Sequence, residues 1–266
     1  EKPAQKAEEK KNDQPKAEEK PAPPKKADAE KKAEAKKPDA KPKADAKKKD
    51  DKKKPAPKAD AKKAEPKKEP PKKPVSAFKD KALEEAVRQE VFAKRYNNEP
   101  ITKEDVANIS RVVGVGKQIK DLSGLEHCHA LMLIDLRDNQ ISDLTPIANL
   151  KRLQSVTLSG NRIKTLEPIK ELTAMQLLDI SRNEVQDLAA LKQMSNLRTL
   201  YIAENRVGSL DPIAGLSKIW SLDASGNELK SVEPVAGLKW ITSLDLRNNS
   251  VSDVTPIGKL PSLKTL

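Results

Sequence analysis

The chain has 266 residues and a formal net charge of +12, and its two parts differ in composition. Residues 1–74 hold 27 lysines, 16 acidic residues, 13 prolines and 15 alanines, but no Val, Ile, Leu, Met or aromatic residue. Such a segment cannot bury enough apolar surface to offset the entropy lost on ordering, which predicts a disordered tail and excludes a folded domain there. The remainder is nearly neutral and is long enough for one domain with a sizeable core.

Three further features of the sequence bear on the class of protein. No stretch is long and apolar enough to cross a bilayer, and no signal peptide is recognisable. The chain begins with Glu1 rather than Met, so we expect either that a leading piece was removed or that the sequence is a fragment. The single cysteine excludes an internal disulfide framework but does not indicate a compartment.

Residues 75–117 predict a helical N-terminal cap followed by a degenerate first turn. A helix is expected behind Asp80, and Thr102 with Asp105 fits the capping pattern of a second, shorter helix. The "GVGKQ" stretch lacks the glycine spacing and the Lys-Ser/Thr ending of a phosphate loop. Apolar residues of the first helix fall at i, i+4 and i+8, namely Leu83, Val87 and Val91.

From residue 118 to residue 266 the chain repeats itself. Apolar residues three, five and eight positions before each repeated asparagine give the pattern L-x-x-L-x-L-x-x-N, and their alternation predicts a short strand. One such unit cannot bury its apolar face alone, which predicts an α/β solenoid, a right-handed curved stack with a parallel sheet on its concave face. An asparagine in each turn can pair with backbone groups that the bend leaves free. The ladder asparagines, 22 residues apart, are Asn139, Asn161, Asn183, Asn205, Asn227 and Asn249.

A second recurring feature is proline, which lies seven residues after the asparagine in five of the six repeats. Proline near the start of a short helical turn, behind a residue such as Thr145, Asp211 or Thr255, is a helix-start signal. The third repeat has Ala189 and Ala190 instead, so we predict that its convex turn is less well defined.

The phrases "LRDNQISDLTPIANLKRL" and "LRNNSVSDVTPIGKLPSL" resemble bacterial leucine-rich-repeat proteins, most closely the internalin-like class with 22-residue repeats. The stretches "AFKDKALEEAVRQEV" and "ITKEDVANIS" are similar to the helical N-terminal cap of that family. The resemblance covers about residues 76–266 and implies an envelope or secreted location, although a cytoplasmic one stays open. It departs from the family at "LPSLKTL", which stops inside the strand of a further repeat, so either the chain is truncated or a partner covers its last turn.

The cluster His127, Cys128 and His129 contains the only histidines and the only cysteine of the chain. In the repeat register Cys128 takes a buried leucine column, which favours a core residue. The histidines then face solvent, and no second cluster supplies the three or four ligands that zinc needs. We therefore predict no metal site, no cofactor site and no catalytic residue here.

The aspartates four before the ladder asparagine recur as a scaffold column does, which favours a structural role over acid/base chemistry. We predict no enzyme, but a module that binds a protein or peptide through the outward side chains of the sheet. Trp240 lies in another column and is predicted to pack against the flank of the solenoid. The predicted partner-binding residues are Leu133, Asp135, Arg137, Leu177, Asp179, Tyr201, Trp220, Asp223, Asp245 and Arg247.

The lysine-rich tail is compatible with more than one function. Its alternating charge and proline are similar to spacers of bacterial envelope proteins and predict an extended tether, while "KPKADAKKKDDKKKPAPK" resembles linker-histone tails. The alternative function is therefore binding of nucleic acid or an anionic polymer through the tail, although its acidic residues dilute the field and no aromatic residue is present to stack bases. A third alternative is an intracellular regulator, because some eukaryotic proteins with similar repeats bind phosphatases. We expect a monomer.

Overall fold

The structure, a computed structural model, describes residues 74–266. The disorder predicted for residues 1–74 therefore lies outside the described residues except at Pro74. No helix in the described part is long and apolar enough to serve as a membrane span. Two α-helices precede the repeats, α1 (Lys81–Arg88) and α2 (Lys103–Val106).

Helix α1 begins where the sequence predicts. The Asp80 carboxylate accepts hydrogen bonds from the backbone N–H of Ala82 and Leu83, and this satisfies donors that a helix start leaves free. The helix ends at Arg88, although Val91 beyond it is still buried. In α2, the Asp105 carboxylate accepts from the backbone N–H of the preceding Thr102 at 2.7 Å.

The repeats form one seven-stranded parallel sheet in the order β1 to β7. Each strand residue lies opposite the residue 22 positions further along the chain in the next strand, as Val112 lies opposite Ile134. The predicted parallel solenoid is confirmed. The strands are β1 (Arg111–Val113), β2 (Leu133–Asp135), β3 (Ser155–Thr157), β4 (Leu177–Asp179), β5 (Thr199–Tyr201), β6 (Ser221–Asp223) and β7 (Ser243–Asp245). After β7, Thr265 forms a single parallel bridge with Ser243.

The apolar columns of the repeat lie inside the solenoid and form one continuous core with the buried face of α1. At the junction between α1 and the first turn, Gly114 occupies an otherwise apolar column. A Cβ atom there would lie 3.0 Å from the Cβ of Ala86 and 3.0 Å from the Cδ1 of Ile119. The missing side chain therefore lets helix α1 approach the sheet closely.

On the side opposite the sheet, every repeat makes a short 3₁₀ turn. The prediction that the third repeat would be poorly defined there is wrong, because Ala189–Leu191 forms the same turn as its neighbours. The reason is that the acceptor at the start of these turns lies two residues earlier than predicted. The Asp187 carboxylate accepts from the Ala189 N–H at 2.8 Å, so the turn does not need the proline. The equivalent acceptors four residues after the ladder position are Asp121, Asp143, Thr165, Asp187, Ser209, Ser231 and Asp253.

The ladder asparagines connect neighbouring repeats. In the central repeat, the Asn183 side-chain amide donates to the carbonyl oxygens of Leu158 and Ile180 at 3.0 and 2.9 Å. Its Oδ1 accepts from the backbone N–H of Ile163 in the preceding repeat at 2.9 Å. The other five asparagines make the same contacts, and Asn249 in the last repeat is less buried than the rest.

Candidate binding surface

The outward side chains of the strands form a surface that we call the sheet face, at six, four and two positions before each ladder position. Since the core residues alternate with these positions, the same three columns lie on the outer side of every strand, and of their members Ser159, Thr199 and Ala203 are buried. Neighbouring parallel strands lie about 4.8 Å apart, so the seven strands span about 30 Å. The predicted binding residues of the sheet face lie on this surface, all of them partly or fully exposed.

Two of the sheet-face aspartates are neutralised by arginines of the same strand. The Arg137 guanidinium donates to both carboxylate oxygens of Asp135 at 2.9 Å. At the other end of the sheet, Arg247 makes the equivalent contacts with Asp245, at 3.0 Å from Nε to each oxygen. The hydrogen bonds from Arg247 outweigh burial and hold the pKa of Asp245 below its usual range. The carboxylates of Asp135, in β2, and of Asp245, in β7, are therefore both internally paired.

The centre of the sheet face has a different charge arrangement. Asp179 and Asp223 flank Tyr201 in strand register, and neither forms an ion pair among residues 74–266. They accept only local hydrogen bonds, from the backbone N–H of Ser181 and Ser225 at 3.0 Å in each case, and Asp223 also accepts from the Ser225 hydroxyl at 2.7 Å. The centre thus presents one carboxylate on each side of the partly exposed Tyr201 phenol.

Both tryptophans of the chain are exposed at the edge where the strands begin. Trp220 immediately precedes β6 and is 52% exposed. The prediction that Trp240 packs against the flank of the solenoid is wrong, because this side chain is 68% exposed. The neighbouring Ile241 occupies the buried column, so Trp240 on the other side of the chain faces solvent.

The histidine and cysteine cluster behaves as the repeat register predicts. Cys128 is fully buried, and burial raises the pKa of its thiol to about 12. His129 is exposed, while His127 lies 3.7 Å from the Glu126 carboxylate. Among the described residues, no group of three or more His, Cys, Asp or Glu side chains is placed to hold a metal ion.

Sequence reasoning missed two exposed aromatic side chains in the N-terminal cap, Phe92 at 84% and Tyr96 at 89% exposure. It also missed Val113 and Val115, which extend the sheet face beyond Leu133 at its first strand. The valines could have been found by extending the 22-residue register back through β1. No periodicity marks the aromatic pair, because Phe92 and Tyr96 lie outside the repeats.

Comparison with known proteins supplies the context. A family model described as "Leucine Rich repeats (2 copies)" matches residues 133–171. Internalin C2 of Listeria monocytogenes is similar over 73% of this chain and 87% of its own, with 30% identity and a TM-score of 0.69. A leucine-rich-repeat protein of Leptospira interrogans shares 22% identity at a TM-score of 0.58, over 62% of this chain and 46% of its own.

The functional domain of InlJ from Listeria monocytogenes, whose structure includes a cysteine ladder, shares 18% identity at a TM-score of 0.52. It covers 69% of this chain and 45% of its own. At these identities, InlJ and the Leptospira protein show similarity of fold alone. No match was found among curated proteins.

Proposed function

The chain belongs to the internalin-like class of bacterial leucine-rich-repeat proteins, and we propose that it is a non-enzymatic module that binds a protein ligand on its sheet face. Leucine-rich-repeat proteins generally mediate protein–protein interaction. The observation that carries the proposal is the centre of the sheet face, where Asp179, Tyr201 and Asp223 stand in one row without an ion pair among the described residues.

A central row of this kind has the chemistry of a binding centre. An aromatic side chain supplies apolar area together with a polar group, and the carboxylates supply charge that a partner can match. Leu177 adds apolar surface in the strand next to Tyr201. The two internal ion pairs, Arg137 with Asp135 and Arg247 with Asp245, then place polar side chains on either side of this centre.

We further propose that each part of the chain has its own role. The cap, residues 75–117, covers one end of the solenoid, residues 118–266, and residues 1–74 act as a cationic tether. At about 3.1 Å per residue a fully extended tether reaches roughly 230 Å, whereas a flexible coil averages nearer 50 Å. Internalin-like relatives are surface or secreted bacterial proteins, which supports a place for this protein in the envelope or outside the cell. We propose that it acts there as a monomer with one protein partner.

The test is affinity capture on the full chain, from envelope and soluble fractions of the source organism, at low and high salt. We expect one protein to remain bound at high salt. Its Kd, measured afterwards with the purified protein, should rise at least about tenfold in the Leu177→Ala plus Tyr201→Ala variant, because aromatic side chains dominate interface energetics. The matched control is Tyr96→Ala, which removes an equally large exposed phenol from the cap.

The opposite result is also defined. If the chain retains only nucleic acid or anionic polymer, and moderate salt strips it off, the tail is the functional element, because binding through lysines and phosphates is strongly salt-dependent. An equal loss of affinity in the Tyr96→Ala control would likewise refute binding on the sheet face.

A further inference from the structure

Beside the sheet face runs a second surface, which we call the tryptophan ridge: Arg198, Lys218, Trp220, Trp240 and Lys264. These residues lie just before the strands of the last repeats, and all five are exposed. Their side chains point outward because Ile219 and Ile241 take the buried positions between them.

Backbone hydrogen bonds keep part of the ridge in one row across successive repeats. The Trp220 N–H donates to the Arg198 carbonyl at 2.9 Å, and the Thr242 N–H donates to the Trp220 carbonyl at 2.8 Å. The Lys264 N–H continues the row to the Thr242 carbonyl at 2.9 Å. A second row, two residues earlier in each repeat, places Trp240 one repeat after Lys218. The ridge residues lie outside the strands, in the segments that lead into them, and these repeated backbone hydrogen bonds hold Arg198, Trp220 and Lys264 in one row.

The charge along the ridge has one sign. No aspartate or glutamate occurs in the segments that lead into the strands of the last repeats, which are residues 193–200, 215–222, 237–244 and 259–266. Lys218 is held by a 2.7 Å hydrogen bond from its Nζ to the Asn196 side-chain oxygen, which leaves its charge without a counterion there. The basic residues of these segments are Arg198, Lys218, Lys239, Lys259 and Lys264.

We propose that the tryptophan ridge is the site where the partner protein docks an acidic polypeptide segment, with an apolar side chain between the two tryptophans and carboxylates on Arg198, Lys218 and Lys264. The inference rests on the proposed function, since it names the chemistry of the protein partner and extends the contact from the sheet face to its edge. Exposed tryptophan beside arginine is a composition that binding centres favour, and the two lysines add positive charge that an acidic segment can match.

The surroundings favour this occupant over two others. The chain's own tail does not match the ridge, because residues 1–74 have 11 more basic than acidic residues. A uniform polyanion matches the ridge but must also pass the carboxylates of Asp223 and Asp245, three and five residues along the chain from Trp220 and Trp240 respectively. A polypeptide can place acidic residues on the ridge and a basic one beside Asp223, so it satisfies both surfaces.

The experiment uses the two tryptophans as reporters, because the chain has no others. A displayed library of short random peptides is selected on the full chain and then depleted on the Trp220→Ala plus Trp240→Ala variant, which keeps the tail. We expect the remaining peptides to be acidic with an aromatic or aliphatic centre. A synthetic copy of one of them should shift the tryptophan emission of the full chain saturably.

The Kd of that peptide should rise at least about tenfold in Trp220→Ala, read through Trp240, and should also rise in Lys218→Gln. The matched control is Lys230→Gln, which removes one exposed charge on the same repeat but away from the ridge. Oligothymidylate serves as the polyanion probe and should leave the emission unchanged at physiological salt.

Three results would overturn the inference. Remaining peptides that are not acidic, or selected peptides that are all removed by the double variant in the depletion step, rule out the ridge as an acidic-segment site. If those peptides lose affinity only in Leu177→Ala plus Tyr201→Ala, the proposed function stands and the ridge fails alone. An emission shift with oligothymidylate but not with the peptide identifies a polyanion site instead.

Discussion

Replacing Asn183 by alanine should cost about 3–5 kcal/mol of unfolding free energy. The substitution leaves the Ile163 N–H without its 2.9 Å acceptor and the Leu158 carbonyl without its 3.0 Å donor. It also removes the bond to the Ile180 carbonyl. Each buried backbone group left unpaired costs about 1–3 kcal/mol, so the Ile163 N–H and the Leu158 carbonyl together cost about 4 kcal/mol at mid-range, the centre of the expected range. The loss couples two repeats, because the groups belong to both.

The assay is equilibrium unfolding in urea, followed by circular dichroism, with the slope of the transition reported beside its midpoint. Asn249→Ala should cost about half as much, because its site is partly open to water and can rehydrate. The matched control is Asn196→Ala, an exposed asparagine of the same solenoid, which should cost less than about 1 kcal/mol. A loss at Asn183 no larger than at Asn196 would refute the argument. A shallower transition would mean that the repeats unfold separately.

Three other predictions follow from the described residues. Gly124 has φ of +109°, and a Cβ atom there would lie 2.5 Å from the Phe78 ring. Gly124→Ala should therefore lower the free energy of unfolding by about 2–4 kcal/mol in the same urea assay. The control is Gly208→Ala, where nothing lies within 4 Å of the added Cβ atom, and it should destabilise the protein less. Burial raises the pKa of the Cys128 thiol to about 12. Iodoacetamide at pH 8 should therefore modify this thiol about a thousandfold more slowly in the native protein than in the unfolded protein, as measured by mass spectrometry. Rapid labelling of the folded chain would contradict this expectation. Burial raises the pKa of Asp80, but its backbone hydrogen bonds outweigh that effect and lower the pKa overall. Asp80→Ala should therefore cost about 1–2 kcal/mol at neutral pH, and the deficit should shrink as the pH falls below about 4 towards the folded-state pKa, whereas a deficit independent of pH would refute the assignment.

The backbone of the repeats could be predicted because each buried column obeys one physical requirement in every copy. A strand residue such as Ile134 must be apolar, and its partner 22 positions later is apolar for the same reason. The start of the convex turn was misplaced because serine, threonine and aspartate are interchangeable as acceptors. The residue next to the proline, Thr145, looked like the cap, whereas the acceptor is Asp143. A column of similar chemistry but mixed residue type is harder to find than a column of identical residues.

The sequence predicts which residues are exposed, but not which side chains they contact. The register placed Asp135 and Arg137 on one face, but their pairing depends on side-chain rotamers that no spacing specifies. The prediction for Trp240 is wrong because the alternation around the buried Ile241 turns the Trp240 side chain towards solvent. Here the local period was the stronger argument, since the buried column was already occupied.

Outward positions of a solenoid are where residue type is least dictated by the fold. The row that begins with Leu133 continues through Ser155, Leu177, Thr199 and Ser221 on the same backbone, so strand geometry accepts all of these side chains. The ladder position, by contrast, holds asparagine in all six repeats because four backbone contacts depend on it. Exposed tryptophans lower solubility and add nothing to the core. Two of them beside cations, in adjacent repeats, therefore call for an explanation in binding, and this is the physical reason for testing the tryptophan ridge together with the sheet face.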